Sequence, residues 1–142
     1  MDHSPDSYEF RDHTADILVV VRANDWPSLL IQAAKALYAV VGELTPTETE
    51  VQRPMTMQAP DREALLHDWV AELLYRLDVH AQRFDRFAFS HCSNQQLNVT
   101  AAGAVIDWNA SQIDREVKAV TWHELQVTQA ENGLTGQILL DI

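Results

Sequence analysis

The sequence holds 142 residues, 46% of them apolar (AVILMFWYC) and 22% charged, with only four Gly and five Pro; that is one domain's length with material for a core, and it excludes disordered and fibrous chains. Asp and Glu number 21 against 10 Lys and Arg, a net charge of −11, so the basic footprint that neutralises phosphates is missing and autonomous binding to nucleic acid or to an anionic membrane is disfavoured. A lone Cys92 excludes an internal disulfide and a cysteine-built zinc site, while the polar, acidic start and the lack of a long apolar run predict a cytoplasmic protein with no membrane span.

Ile17-Leu-Val-Val-Val-Arg22 is a continuous β-branched run and predicts a strand covered on both faces. Asn24-Asp25-Trp26-Pro27 breaks it, and Pro27 suits the first turn of a helix that runs to about Val41 and stops at Gly42. That helix is apolar nearly all round, with Gln32 and Lys35 on its one polar edge, and is expected to be buried on more than one side. Residues 43–50 read as a connection. Val51, Arg53, Met55 and Met57 then alternate with polar partners as a half-exposed strand, and Pro54 argues for an edge position. Asp61 can cap a second helix over about 62–78. Leu65, Leu66, Trp69, Val70, Leu73, Leu74 and Leu77 fall on one half of its wheel, with His67, Asp68, Ala71, Glu72 and Tyr75 on the other.

Beyond that helix the period changes to two. Phe87-Phe89, Leu97-Val99, Val117-Ala119-Thr121 and Leu125-Val127 alternate with polar residues, and Ser93-Asn94 and Asn132-Gly133 mark turns. Residues 137–142 form a last strand. Segregated elements in this order predict a single α+β domain over 1–142, two helices packed on a largely antiparallel or mixed β-sheet.

Catalytic constellations are missing. No two histidines share the i, i+4 spacing of a metal-binding helix, and there is no Gly-rich phosphate loop, nucleophile elbow or carboxylate-rich metal helix. Two acidic positions stand out. Asp16 opens the buried strand on the same face as Leu18 and Val20, and Asp141 lies between Leu140 and Ile142. A carboxylate beside apolar strand residues is costly unless something compensates it. Each can face solvent or pair with a basic side chain. Alternatively, Asp16, Asp141 and the terminal carboxylate of Ile142 converge on a hard divalent cation, Ca²⁺ or Mg²⁺.

Four blocks in order resemble the archease family: Asp12-His-Thr-Ala-Asp-Ile17; Leu65-Leu-His-Asp-Trp-Val-Ala-Glu-Leu-Leu74; Glu116-Val-Lys-Ala-Val-Thr-Trp-His-Glu-Leu125; and Leu139-Leu-Asp-Ile142. Leu18 stands where the family often has Gly, and Trp122-His123-Glu124 varies its usual Tyr-His-Gly. The resemblance implies an accessory protein, not an enzyme, that helps an RtcB-type RNA-splicing ligase become guanylylated from GTP and turn over repeatedly. RNA would be met only through the ligase, in tRNA splicing or RNA repair. The resemblance also carries the family's metal site to Asp16, Asp141 and Ile142, and its functionally important lysine to Lys118. His13 and His123 match motif positions without an assigned role.

Two rival readings need different features. A general chaperone or protein-modulating module needs an exposed apolar patch, for which the helix over 29–41 is the sole candidate. A metal-dependent hydrolase has the carboxylates but lacks a general base or substrate pocket visible in sequence. The acidic charge suits a basic partner by electrostatic steering, and it suits solubility equally well.

Overall fold

The computed structural model describes residues 6–12 and 15–142. Its elements run β1 (Ser7–Asp12), β2 (Asp16–Ala23), α1 (Trp26–Val41), β3 (Gly42–Glu43), β4 (Pro46–Gln58), α2 (Arg62–His80), β5 (Gln82–Cys92), β6 (Gln96–Ile106), β7 (Gln112–Ile113), β8 (Ala119–Val120), β9 (Gln126–Ala130) and β10 (Gly133–Asp141), with a 3-10 turn over Trp108–Ala110. Two helices on antiparallel strands make this an α+β fold, and every strand pairing among the described residues is antiparallel.

Local chemistry explains where the helices begin and end. Asp25, extended at the N-cap of α1, accepts the Ser28 N–H at 2.9 Å, and Pro27 fills a first-turn position that lacks an intrahelical donor partner. At the far end the Gly42 N–H bonds the Tyr38 carbonyl with φ at +142°, and a Cβ there would overlap the Gln112 carbonyl of β7. Only glycine combines that backbone angle with so close a neighbour. Asp61 caps α2 by accepting the Ala64 N–H at 2.8 Å, and the helix closes on Ala81 in the left-handed region.

Packing follows the two hydrophobic patterns. The buried residues of α2 are Leu65, Leu66, Trp69, Val70, Leu73, Leu74 and Leu77, the predicted half-wheel. Helix α1 is buried along most of its length, leaving Lys35 exposed, because it packs on β1, β2 and β10 on one side and on β5 and α2 on others. Trp69 is fully buried where these layers meet. Its indole N–H donates to the Leu30 carbonyl of α1 at 2.8 Å, and its ring meets Phe87 edge-on with centroids 5.4 Å apart.

The larger sheet has the order β1-β2-β10-β8, with β9 also pairing β10; the second is β4-β6-β5, and β3 pairs β7 separately. Strand β4 sits at an edge, as Pro54 required, but it begins at Pro46 and absorbs most of the expected connection over 43–50. In the larger sheet Ile17, Val19, Val21, Ile138 and Leu140 point to the helices, while Leu18, Val20 and Leu139 form a separate buried cluster on the opposite face. The strand expected across Val117-Ala119-Thr121 is shorter, since only Ala119–Val120 pair as β8. Of residues 117–119 Val117 alone is buried, and Lys118 and Ala119 are both exposed.

Candidate functional site

The chain's first long strand and its last lie side by side, and their register decides what meets at the tip. Strand β2 pairs with β10 so that Asp16 lies opposite Asp141. The Ile142 N–H donates to the Ala15 carbonyl at 3.3 Å, just outside that pair. A bond so placed makes Asp16–Asp141 a non-hydrogen-bonded pair, the position where opposed Cα atoms approach to about 4.5 Å and side chains lie closest. Both carboxylates are on the Leu18/Val20/Leu139 face, and Asp16, Asp141 and Ile142 are all half-buried. Like charges in direct cross-strand opposition are destabilising.

Lys118 arrives from the other side. Its main-chain N–H donates to the Asp141 carbonyl at 2.8 Å, and the Thr121 N–H donates to the Leu139 carbonyl at 2.9 Å. The lysine backbone is thus fixed beside Asp141 while its side chain is exposed. Among the described residues the ammonium of Lys118 makes no ion pair, and neither does the carboxylate of Asp141. A lysine-paired Asp141 is therefore not what this strand end contains.

The donor set fits a hard cation. Two opposed carboxylates present oxygen alone, which suits Ca²⁺ or Mg²⁺ and disfavours soft metals. No cluster of three or more His, Cys, Asp or Glu side chains suited to a metal is assembled among the described residues. Among the described residues the strand end thus supplies two opposed carboxylates, with half-buried Ile142 next to Asp141.

Of the two motif histidines, His13 lies outside the described residues. His123 lies in the exposed turn after β8, where its main-chain N–H donates to Thr121 Oγ1 at 3.2 Å and its ring makes no hydrogen bond or ion pair among the described residues. The next residue, Glu124, has φ at +56°. This left-handed position is the one where the resembled family usually carries Gly, and the Gln137 side-chain amide holds it by donating to the Glu124 carbonyl at 2.8 Å.

Sequence reasoning missed His67. It sits on the polar half of α2 yet its side chain is only 12% exposed. Its Nδ1 lies 3.1 Å from Asp68 Oδ1 and its Nε2 lies 3.1 Å from the Val120 carbonyl of β8. Its ring stacks face to face on Trp122, centroids 3.6 Å apart and planes 15° from parallel. Asp68 is its neighbour, but Val120 and Trp122 are more than fifty residues away in sequence, so no local pattern announces them. Helix α2 thereby grips the segment that carries Lys118.

Other polar features lie on different residues. A cavity of about 360 Å³ is lined by Lys35, Tyr38, Leu44, Arg83, Phe84 and Phe87 among others. Burial pushes the Tyr38 phenol up to about 12, so it stays protonated while accepting the Phe84 N–H at 3.1 Å. Burial, with Asp25 nearby, likewise pushes the Cys92 thiol up to about 11, which leaves it unreactive at neutral pH.

Known proteins resemble this chain along almost its whole length. The model of the Archease protein family matches residues 8–142. A protein archease of Methanosarcina barkeri is 31% identical over 139 residues, covering 95% of each chain. One of Methanopyrus kandleri is 28% identical over 138 residues, covering 95% of this chain and 99% of its own. Among solved structures, a Methanobacterium thermoautotrophicum protein superposes with a TM-score of 0.71 at 25% identity, over 95% of this chain and 98% of its own. A Thermotoga maritima protein described as "an archease, possible chaperone" superposes with a TM-score of 0.69 at 22% identity, covering 93% and 94%, a likeness of fold.

Proposed function

The chain belongs to the archease family, and on that premise we propose that it serves as an accessory protein to an RtcB-type RNA ligase, promoting the ligase's guanylylation from GTP and its repeated turnover. One observation carries this reading: Asp16 opposite Asp141, with Ile142 and the Lys118 backbone bonded around that pair. In this reading they are the residues that would hold the cation and present the functional lysine.

Asp16, Asp141 and the Ile142 carboxylate would hold a divalent cation, Ca²⁺ or Mg²⁺. When bound, that cation supplies positive charge able to polarise phosphate oxygens. The chain's own residues do the rest. The β2–β10 ladder fixes the two carboxylates, Lys118 presents a mobile cationic donor set beside them, and the acidic charge steers the chain to the basic surface any RNA-holding enzyme must present. Among the described residues this end of the sheet presents no nucleophile–base pair, and in this reading the covalent chemistry is assigned to the ligase.

The chaperone reading has less support. Its required apolar surface was to come from α1, which is buried, and of the large exposed hydrophobics among the described residues Tyr75 and Val79 share α2 while Tyr8, Trp108, Ile113 and Trp122 come from different segments.

The test mixes the protein with the ligase from the same cell, GTP and a divalent metal, and follows guanylylation over several turnovers. The wild type should raise the turnover number, and Lys118→Ala should abolish the gain at an unchanged melting temperature, because its side chain supports no core contact. Identical ligase kinetics with and without the protein would refute the proposal.

A further inference from the structure

A tryptophan at the surface is costly to leave in water, and Trp122 is 60% exposed. It is nonetheless held in place. One face of its indole lies flat on His67 at 3.6 Å, and that imidazole is fixed through Asp68 on α2 and through the Val120 carbonyl on β8. Its backbone follows Thr121, whose N–H bonds the Leu139 carbonyl. The side chain therefore loses little freedom when something covers its outer face, which is the condition under which an aromatic residue anchors an interface.

The surroundings fix the character of what covers it. Asp68, bonded to the backing imidazole, is 44% exposed, and Glu124, two residues after Trp122, is exposed. Lys118 is the sole Lys or Arg from 116 to 124, in a chain of net charge −11. An open indole face, with Asp68 bonded to its backing imidazole and Glu124 two residues on in an acidic chain, suits a guanidinium, which stacks on the ring while its N–H groups are free to meet carboxylates.

We propose that Trp122, backed by His67, is the anchor of a protein-docking surface whose occupant is an arginine-bearing basic face of the ligase. This rests on the accessory role argued above and adds to it the residue that holds the partner. Trp122 acts in binding, whereas Lys118 acts once the complex has formed. The two roles separate in kinetics: losing the anchor raises the concentration needed for activation, and losing Lys118 lowers the activation reached at saturation.

The experiment measures binding of the protein to the ligase calorimetrically at low and high salt, for the wild type, Trp122→Ala, Trp122→Phe and Lys118→Ala, with melting temperatures and size-exclusion profiles recorded for each. Trp122→Ala should weaken binding at least about 30-fold at a nearly unchanged melting temperature. Trp122→Phe should stay within a few-fold of the wild type, and enough Trp122→Ala protein should restore full activation. Binding by Trp122→Ala within threefold of the wild type would overturn the anchor while leaving the accessory role intact. A wild type that never binds the ligase would overturn both. A wild type that self-associates through Trp122, with ligase binding unaffected by the substitution, would show a second copy of this chain to be the occupant and overturn the proposal.

Discussion

Strands β2 and β10 run side by side for eight residue pairs, and their two faces lead different lives. On the helix side, Ile17, Val19, Val21, Ile138 and Leu140 disappear under α1 and α2 in one continuous core. On the far side, Leu18, Val20 and Leu139 make a small patch that runs into Asp16 and Asp141 at the strand tips. A period of two delivers both faces from the same residues. The helix side supplies most of the core, and the far side, a smaller buried patch, ends at the strand tips in two half-buried carboxylates that a core would reject.

The covered face is the one most easily broken. Trp69 joins α2 to α1 through its indole N–H and to β5 through Phe87 and Phe89. Trp69→Ala should cost about 3–5 kcal/mol by leaving a cavity and an unmet Leu30 carbonyl. Calorimetry should show a fall in melting temperature larger than about 10 °C; an unchanged value would contradict the buried stripe.

Changes at the loops and helix end should do far less. Glu124 occupies a left-handed backbone position without glycine's freedom, so Glu124→Gly should raise stability by about 1 kcal/mol at most. A loss of stability would mean that the glutamate side chain contributes more than its backbone strain costs. Smaller still is Asp78 at the end of α2, exposed by area but pushed above the ordinary carboxylate range by burial on its protein side and by the neighbouring Glu116 charge. Its folded pKa exceeds its unfolded one, so ionisation opposes folding, and its contribution to stability falls as pH rises from the ordinary carboxylate value through the raised one. Asp78→Asn should gain about 0.5 kcal/mol or less at pH 7 and nothing below the ordinary carboxylate pKa. Thermal melts at the two pH values check the sign.

Much of the covered face was legible in the sequence because it repeats locally. Seven apolar residues at helical spacing named the buried side of α2, and five consecutive apolar residues named β2 as covered on both faces. Asp16 and Asp141 stood out as carboxylates in apolar strands, but only the β2–β10 register brings them together. Strand β1 went unseen although Tyr8 and Phe10 alternate with polar residues, since six residues carry little signal. The segment around Lys118 read as a strand from its alternation, yet its regular pairing is limited to Ala119–Val120. His67 and Trp122 were invisible as a pair, because a stack between a helix and a distant loop leaves no periodic trace.

The central claim is that the tips of β2 and β10 form a cation site, and thermal melting with added Ca²⁺ or Mg²⁺ tests it most directly. Without cation, Asp141→Asn should match or slightly exceed the wild type in stability, because it removes a like-charge opposition worth up to about 1 kcal/mol. With cation in about 100-fold excess over its dissociation constant, the wild type should gain about 2.7 kcal/mol of apparent stability, while Asp141→Asn, Asp16→Asn and a wild type amidated at Ile142 should gain much less. Equal cation-induced shifts in all four proteins, or no shift in the wild type, would contradict the account.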